Sequence, residues 1–234
     1  MNKLRFPNPV FVAIDTPDLD RALAIARGAG PHVGGLKVGL EFITAQGPEG
    51  IRAITALGRP VFADVKFHDI PNTVAGAARA IAKLGVAIFN VHASGGEAMM
   101  RAAKEAAASI NPGMKIIAVT LLTSLDENDV AAVGYRGTAA EQVVRLASLA
   151  QKSGLDGVVC SAHEIAAIRR ACGDDFMLVV PGIRPAGGDL ADQRRVMTPR
   201  EAADAGADIL VIGRPITGAA DPGEAARAIY ASLA

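Results

Sequence analysis

The sequence predicts an α/β fold of the (β/α)8 TIM-barrel type, formed by a single domain over residues 1–234. Three observations predict it: eight short apolar runs rich in β-branched residues, segments with helical spacing between and after them, and a length of 234 residues. Eight strand–helix units within about 200–250 residues fit a closed barrel. A doubly wound open sheet stays the alternative, because periodicity does not prove closure.

The predicted strands are short runs in which apolar residues follow one another without alternation. This pattern is typical of parallel strands that are covered on both faces. The strands are expected at Val10–Ile14, Val33–Val38, Val61–Val65, Val86–Val91, Lys115–Leu121, Gly157–Cys160, Met177–Val180 and Ile209–Ile212.

The predicted helices are segments in which apolar residues recur at helical spacing. They are expected at Leu19–Ala29, Ile51–Leu57, Val74–Leu84, Glu97–Ala108, Ala139–Ser153, Glu164–Ala171, Arg200–Ala205 and Glu224–Leu233. Glycine is common just after a helix, and Asp, Ser and Thr are common just before one. The expected end-marking glycines are Gly58, Gly85, Gly154, Gly173 and Gly206, and the expected N-caps are Asp18, Ser94, Thr138 and Asp221.

The composition argues against several functional classes. Lys and Arg together number 24, as do Asp and Glu, so the formal net charge is zero. Without a global positive field, the chain is not expected to bind a nucleic-acid backbone. No segment approaches the roughly 18 apolar residues of a membrane span, and the apolar run after Arg5 is too short for a signal peptide. We therefore expect a cytoplasmic protein that binds neither nucleic acid nor membrane.

The cysteine and histidine content predicts no metal site. Cys160 and Cys172 are too few for a disulfide framework, and no Cys cluster has metal-ligand spacing. Reduced thiols are the expected state of both cysteines.

Charged residues at the ends of the predicted strands form the candidate active site, because the active site of such a barrel lies at the C-terminal ends of its strands. Asp64 and Lys66 are two residues apart on one strand and should point into the barrel together. Lys37 lies on the adjacent strand, and Asp69 follows in the next turn. A structural ion pair is the alternative, but an alternating Lys/Asp array at the functional rim favours catalysis.

Two histidines lie close to this array. His68 alternates away from Lys66, so it should face out of the barrel in a structural or surface role. His92 ends the fourth strand, where it is either catalytic or, more simply, a hydrogen-bonded structural residue.

The loops after the seventh and eighth strands are the usual phosphate site of such barrels. Gly182 and Gly213 allow backbone N–H groups to approach an anion, and Arg214 can offer a bidentate guanidinium. Ordinary turns are the alternative. The long segment 184–196 suggests a lid over a phosphorylated ligand, with Arg184 and Gln193 as candidate contacts, or a surface insertion without a role.

These segments resemble the orotidine 5′-monophosphate decarboxylase family, bacterial type, over nearly the whole chain. The most specific match is residues 63–73, which resemble the family pattern Asp-x-Lys-x-x-Asp-Ile-x-x-Thr. Further matches lie at residues 13–15, 36–39, 91–93, 121–124, 180–185, 192–196 and 213–216.

The resemblance implies a decarboxylase without cofactor or metal, which makes uridine 5′-monophosphate from orotidine 5′-monophosphate in the last step of de novo UMP synthesis. It implies that Asp64 lies beside the substrate carboxylate, that Lys66 protonates the carbon that loses CO2, and that Lys37 holds Asp64 and the ribose. Asp69 would complete the array from the neighbouring subunit of a homodimer. The substrate contacts that it implies are Asp15, Lys37, Asp64, Ile70, Thr73, Thr123, Ser124, Pro181, Arg184, Gln193, Gly213 and Arg214.

Within these contacts, Asp15 would bind the ribose, and Thr123 or Ser124 would read the pyrimidine. Gln193, Gly213 and Arg214 would hold the phosphate. Ile70 and Thr73 would contribute across the dimer interface.

Two other functions stay open from the sequence. Related barrels that act on sugar phosphates share the Asp-x-Lys-x-x-Asp element but use Mg²⁺, which an acidic residue at the end of the second strand would bind. Lys37 occupies that strand and would repel a cation. A barrel that binds a phosphorylated ligand without turnover is the second alternative, although it would not need Lys66 and Asp64 side by side.

Overall fold

The computed structural model describes residues 6–185 and 197–233, and its centre is a closed barrel of eight parallel strands in sequential order. Closure is direct, because β1 pairs with both β2 and β8. The predicted (β/α)8 barrel is therefore confirmed, and the open-sheet alternative is wrong. The strands are β1 Val10–Ile14, β2 Gly35–Val38, β3 Val61–Phe67, β4 Ile88–His92, β5 Lys115–Val119, β6 Gly157–Val159, β7 Met177–Val180 and β8 Ile209–Ile212.

Helices connect these strands. They are α1 Leu19–Ala29, α2 Leu40–Thr55, α3 Pro71–Ala82, α4 Gly96–Ala108, α5 Glu127–Ala132, α6 Ala139–Lys152, α7 Ile165–Cys172, α8 Pro199–Ala205, α9 Arg214–Thr217 and α10 Pro222–Ala231. Short 3-10 turns lie at Gly30–His32, Ala93–Gly95 and Ala162–Glu164. No helix of the described ranges is both long and apolar enough to cross a membrane.

Several predicted helix ends are confirmed by the local geometry. Asp18, Thr138 and Asp221 each accept a hydrogen bond from a backbone N–H in the first turn of the helix that follows. The predicted N-cap Ser94 is wrong. It lies inside the 3-10 turn that follows β4, and Gly95 precedes α4 without a side-chain cap.

The helix predicted at Ile51–Leu57 is too short at its N-terminal end, because α2 begins at Leu40. Gly47 interrupts the helical backbone with φ 61° and ψ −159°, and Pro48 follows it. A Gly-Pro pair normally ends a helix, whereas here the chain resumes the helix after a kink. The helices α5 and α9 were not predicted, since each is too short to show a periodic pattern.

The core has two layers that follow the alternation of side chains along each strand. Val10, Val12 and Ile14 of β1 pack towards the helices, whereas Phe11 and Ala13 point to the barrel interior. The interior is filled by apolar side chains from the barrel strands, namely Phe11, Ala13, Phe62, Ile88, Ile117, Met177, Val179, Ile209 and Val211. This apolar interior leaves the C-terminal ends of the strands as the place where charged side chains meet.

Candidate active site

A carboxylate held between two ammonium groups forms the centre of the site. Nζ of Lys66 lies 2.6 Å from Oδ1 of Asp64, and Nζ of Lys37 lies 2.9 Å from Oδ2 of the same carboxylate. Lys37 also lies 3.5 Å from Oδ1 of Asp15, which is half-exposed at the mouth of the barrel. The structure therefore brings together three of the four residues of the predicted catalytic array, together with Asp15.

The interactions within this cluster favour the charged forms of Asp64 and Lys37. Burial of Asp64 opposes its ionisation, but Lys37 and Lys66 outweigh this effect and hold the carboxyl pKa below its usual value. Burial likewise favours the neutral form of Lys37, but Asp64 and Asp15 outweigh it and raise the pKa of the amine. A pre-formed set of alternating charges in a partly buried site can act on a developing charge without reorganisation.

The β3 strand is irregular where it carries these residues. Its register with β4 shifts between Ala63 and Phe67. Lys66 has a φ of 52°, and it is the only non-glycine residue of the described ranges with positive φ. Such a conformation costs on the order of 1–3 kcal/mol, and residues that adopt it are enriched at functional sites. Simple alternation along a strand predicted the meeting of Asp64 and Lys66 but not this bulge.

The cleft above the charged cluster is bounded by apolar residues of the barrel and by the loop after β5. It has a volume of about 600 Å³ and opens to solvent. Asp64, Lys66 and Thr123 contribute to its wall, with Phe62 and Val179 among the apolar residues below. Of the two hydroxyl residues predicted to read a base, Thr123 lines this cleft, whereas Ser124 lines none of the described clefts.

A second cleft of about 580 Å³ adjoins the first, and Lys37 and Pro181 line both. Its wall is more polar and contains the predicted phosphate-site residues, so two neighbouring chambers could hold the two ends of one ligand. The charged and glycine residues that line it are Asp15, Lys37, Gly182, Arg184, Gly213 and Arg214.

The ends of the predicted lid are joined next to this second cleft. Ile183 forms a parallel bridge with Met197, and the backbone N–H of Arg184 donates to the carbonyl oxygen of Met197 at 3.1 Å. Gln193 and most of the predicted lid lie outside the described residues.

Asp69, Ile70 and Thr73 do not join the cluster of their own chain. All three are exposed, and none of them lines either cleft. Oδ1 of Asp69 accepts a hydrogen bond from the backbone N–H of Ile70 at 2.7 Å, and the Ile70 side chain is 67% exposed. The prediction that these residues act in a neighbouring subunit stays a prediction.

His68 and His92 lie against each other beside the cluster, with ring centroids 5.4 Å apart. His68 is exposed, whereas His92 is half-buried. Burial, His68 and Lys66 lower the pKa of His92, so it is expected to be neutral near pH 7.

Sequence reasoning assigned no role to Asn90, which the structure places in direct contact with the cluster. Its Nδ2 donates to Oδ1 of Asp64 at 2.7 Å, and its Oδ1 accepts from the backbone N–H of Lys66 at 2.7 Å. The available signal was a polar amide among the apolar residues Ile88, Phe89 and Val91, on the face of β4 that points into the barrel.

No group of three or more potential metal-ligating side chains lies together in residues 6–185 and 197–233. The position between Asp15 and Asp64, where a cation would be attracted, holds the ammonium group of Lys37.

Comparison with known proteins gives a consistent result over almost the whole chain. Residues 8–229 match the model of the "Orotidine 5'-phosphate decarboxylase / HUMPS family". A protein of Paramagnetospirillum magneticum named orotidine 5′-phosphate decarboxylase is 54% identical over 97% of this chain and 98% of its own. One of the same name from Moorella thermoacetica is 54% identical over 100% of this chain and 95% of its own.

Solved structures agree with this comparison. The crystal structure of orotidine 5′-phosphate decarboxylase from Lactobacillus acidophilus superposes with a TM-score of 0.86 at 40% identity, covering 97% of this chain and 99% of that one. The enzyme of the same name from Pyrococcus horikoshii superposes with a TM-score of 0.78 at 27% identity, covering 96% and 98%.

Proposed function

Because the chain belongs to the orotidine 5′-phosphate decarboxylase / HUMPS family, we propose that it converts orotidine 5′-monophosphate to uridine 5′-monophosphate and CO2. This is the last step of the de novo synthesis of uridine 5′-monophosphate. The observation that carries the proposal, beyond the sequence identity, is the ionised Asp64 held between Lys37 and Lys66 beneath a two-chambered cleft. Both the site and the family point to a carboxy-lyase.

The proposed reaction breaks the bond between the pyrimidine ring and its carboxylate, and the electron pair stays on the ring carbon. Lys66 donates a proton from Nζ to that carbon and recovers a proton from solvent. Its fixed positive charge stabilises the carbanion as it forms. Asp64 lies beside the departing carboxylate, where its negative charge disfavours the bound substrate more than the carbanion, from which CO2 is leaving without charge.

The rest of the substrate supplies binding free energy that holds this unfavourable arrangement. Arg214, with Gly213 and Arg184, binds the phosphate in the second cleft, and Gln193 belongs to the same proposed contact set. Asp15 and Lys37 bind the ribose at the junction of the two clefts, beside Pro181. Thr123, or the adjacent Ser124, recognises the pyrimidine.

The fourth charge of the array comes from a second copy of the chain in this proposal. Asp69, with Ile70 and Thr73, would enter the partner's site across a two-fold interface. The exposure of these residues and their absence from the clefts of their own chain support this arrangement. Large exposed apolar side chains, Leu40 at 53% and Ile70 at 67%, are consistent with a covered surface.

The test of the proposed function is the fall of ultraviolet absorbance when purified protein is mixed with orotidine 5′-monophosphate, with the nucleotide product identified by chromatography. Stoichiometric formation of uridine 5′-monophosphate is expected. Binding of orotidine 5′-monophosphate without turnover would instead indicate a non-catalytic binding protein.

A further inference from the structure

The bulge in β3 removes the regular backbone ladder at the catalytic position. The pairing with β4 is regular up to Ala63 and resumes at Phe67, so three residues of β3 stand opposite Asn90 alone. The side chain of Asn90 replaces the missing ladder contact, since its Oδ1 accepts from the backbone N–H of Lys66 at 2.7 Å. It thus supports the one non-glycine residue of the described ranges whose φ is positive.

The same amide also holds the central carboxylate. Nδ2 of Asn90 donates to Oδ1 of Asp64 at 2.7 Å, and this oxygen also accepts from Nζ of Lys66 at 2.6 Å. A backbone N–H requires an acceptor and a carboxylate requires a donor, so one orientation of the amide satisfies both partners. An ionised aspartate would lack the donor, and an apolar side chain would lack both functions.

Asn90 is buried beneath the charged cluster and cannot contact a ligand in either cleft. It is 0% exposed, and it lines neither of the two clefts. Its contacts with the cluster are with the backbone N–H of Lys66 and the carboxylate of Asp64, and these two residues form the ion pair in the cleft. Any effect of Asn90 on the reaction must therefore pass through these two residues.

We propose that Asn90 is a positioning residue, which fixes the left-handed backbone of Lys66 and one oxygen of Asp64 so that the ammonium group is directed into the reaction cleft. This inference rests on the proposed function, because it concerns the same site. A purely structural role would give a different result: loss of buried hydrogen bonds would destabilise the fold but leave the turnover of each folded molecule unchanged.

The first test compares Asn90→Ala with wild type by kcat and KM for orotidine 5′-monophosphate, each corrected for the folded fraction. Since a misplacement of about 1 Å can slow catalysis on the order of 100-fold, we expect a fall in kcat of that size and a much smaller change in KM. A kcat within about tenfold of wild type in the folded variant would overturn the proposal.

Asn90→Asp provides an isosteric second variant, and it also covers the case in which Asn90→Ala does not fold. The introduced carboxyl group can donate to Asp64 only while it is protonated. The ratio of the kcat of Asn90→Asp to that of wild type should therefore fall as pH rises through the pKa of that carboxyl group. The corresponding ratio for Asn90→Ala should be low at every pH. A ratio for Asn90→Asp that stays near one at pH values where the introduced carboxyl group is ionised would contradict the inference.

Asn128→Asp is the matched control, because it makes the same chemical change at an exposed position in α5. It should behave as wild type in kcat, KM and pH dependence. A loss of kcat in this control equal to that in Asn90→Asp would show that the effect is not specific to the site.

A readout independent of turnover separates this inference from the proposed function. With ¹³C-labelled aspartate, the carboxyl resonance of Asp64 should titrate at higher pH in Asn90→Ala than in wild type, because a hydrogen bond to the charged form has been lost. If wild type does not decarboxylate the nucleotide, the proposed function fails while this titration still tests Asn90. An unchanged titration of Asp64 would refute the positioning role whatever the activity.

Discussion

Lys37 holds one oxygen of the central carboxylate, since its Nζ lies 2.9 Å from Oδ2 of Asp64. The other carboxylate oxygen accepts from Lys66 and Asn90. Both oxygens are therefore held, and the carboxylate cannot turn without breaking a contact to an ammonium group. Lys37 and Asn90 would still hold Asp64 if Lys66 were replaced, so the role of Lys66 can be tested on its own.

Lys66→Ala should abolish turnover while the fold is kept. Lys66 supplies the proton in the proposed reaction, so kcat should fall by more than the roughly 10²–10³ that follows loss of one oxyanion-hole donor. Binding of uridine 5′-monophosphate, measured by calorimetry, should be weakened far less. Activity within about tenfold of wild type would remove Lys66 from this role.

The free energy of unfolding should depend on pH in a way that reflects the ionisation of Asp64. Its carboxyl pKa is lowered in the folded protein by Lys37 and Lys66, against the effect of burial. The stabilisation is therefore complete above the pKa of an unfolded aspartate, and it is lost as pH falls through the lower folded pKa. At neutral pH, Asp64→Asn should lower the free energy of unfolding by up to about 3–5 kcal/mol, because it removes the one carboxylate that contacts both Lys37 and Lys66.

This difference in the free energy of unfolding should shrink in acid, where wild type also carries a neutral group at this position. Denaturant titrations at several pH values measure it. Asp20→Asn, an exposed change in the first turn of α1, is the control and should show little difference at any pH. If the difference in the free energy of unfolding between wild type and Asp64→Asn increased as the pH falls, the stabilising role of ionised Asp64 would be contradicted.

Activity should survive exhaustive chelation. Lys37 occupies the position between Asp15 and Asp64 where a divalent cation would compete. The rate of decarboxylation should be equal before and after dialysis against EDTA. Loss of activity that Mg²⁺ restores would favour the sugar-phosphate branch of the family instead.

Arg214→Ala should lower kcat/KM through loss of the phosphate contact. Orotidine without its phosphate should be a far poorer substrate for wild type. The variant should discriminate much less between the two substrates, because the shared contact is already absent. Comparison of the four kcat/KM values tests this coupling, and undiminished discrimination in the variant would place the phosphate elsewhere.

A mixture of Lys66→Ala and Asp69→Ala should regain activity if subunits share their sites. Each mixed dimer would have one site with both lesions and one intact site. With equal and random exchange about half of the dimers are mixed, so roughly a quarter of all sites should recover. Specific activity is measured before and after exchange, and exchange is verified by mass spectrometry of tagged subunits. Unchanged activity in verified mixed dimers would refute the shared site.

The barrel could be predicted from the sequence because the strands are mostly apolar runs and most helices carry periodic apolar residues. The approach of Lys37 to Asp64 also followed from the positions of the two residues at the ends of adjacent strands. The first half of α2 was missed because Gly47 and Pro48 normally end a helix, and packing here overrides that local preference.

The bulge at Lys66 and the role of Asn90 could not be predicted in the same way. A positive φ at a lysine leaves no compositional signal, whereas the five glycines that were predicted to mark helix ends are recognisable in the sequence, and all five have positive φ. The function of Asn90 depends on the register between β3 and β4, which is a property of the paired strands and not of either segment alone.

The left-handed backbone of Lys66 has a steric cost that the catalytic role of this residue requires the protein to keep. Glycine adopts this conformation without the steric cost that a side chain incurs, about 1–2 kcal/mol. Lys66→Gly should therefore tolerate the bulge better than Lys66→Ala while lacking the proton donor equally. Glycine would remove this steric cost, but it would also remove the contact of Lys66 with Asp64, so one residue carries the backbone strain, the ion pair and the proton donor together.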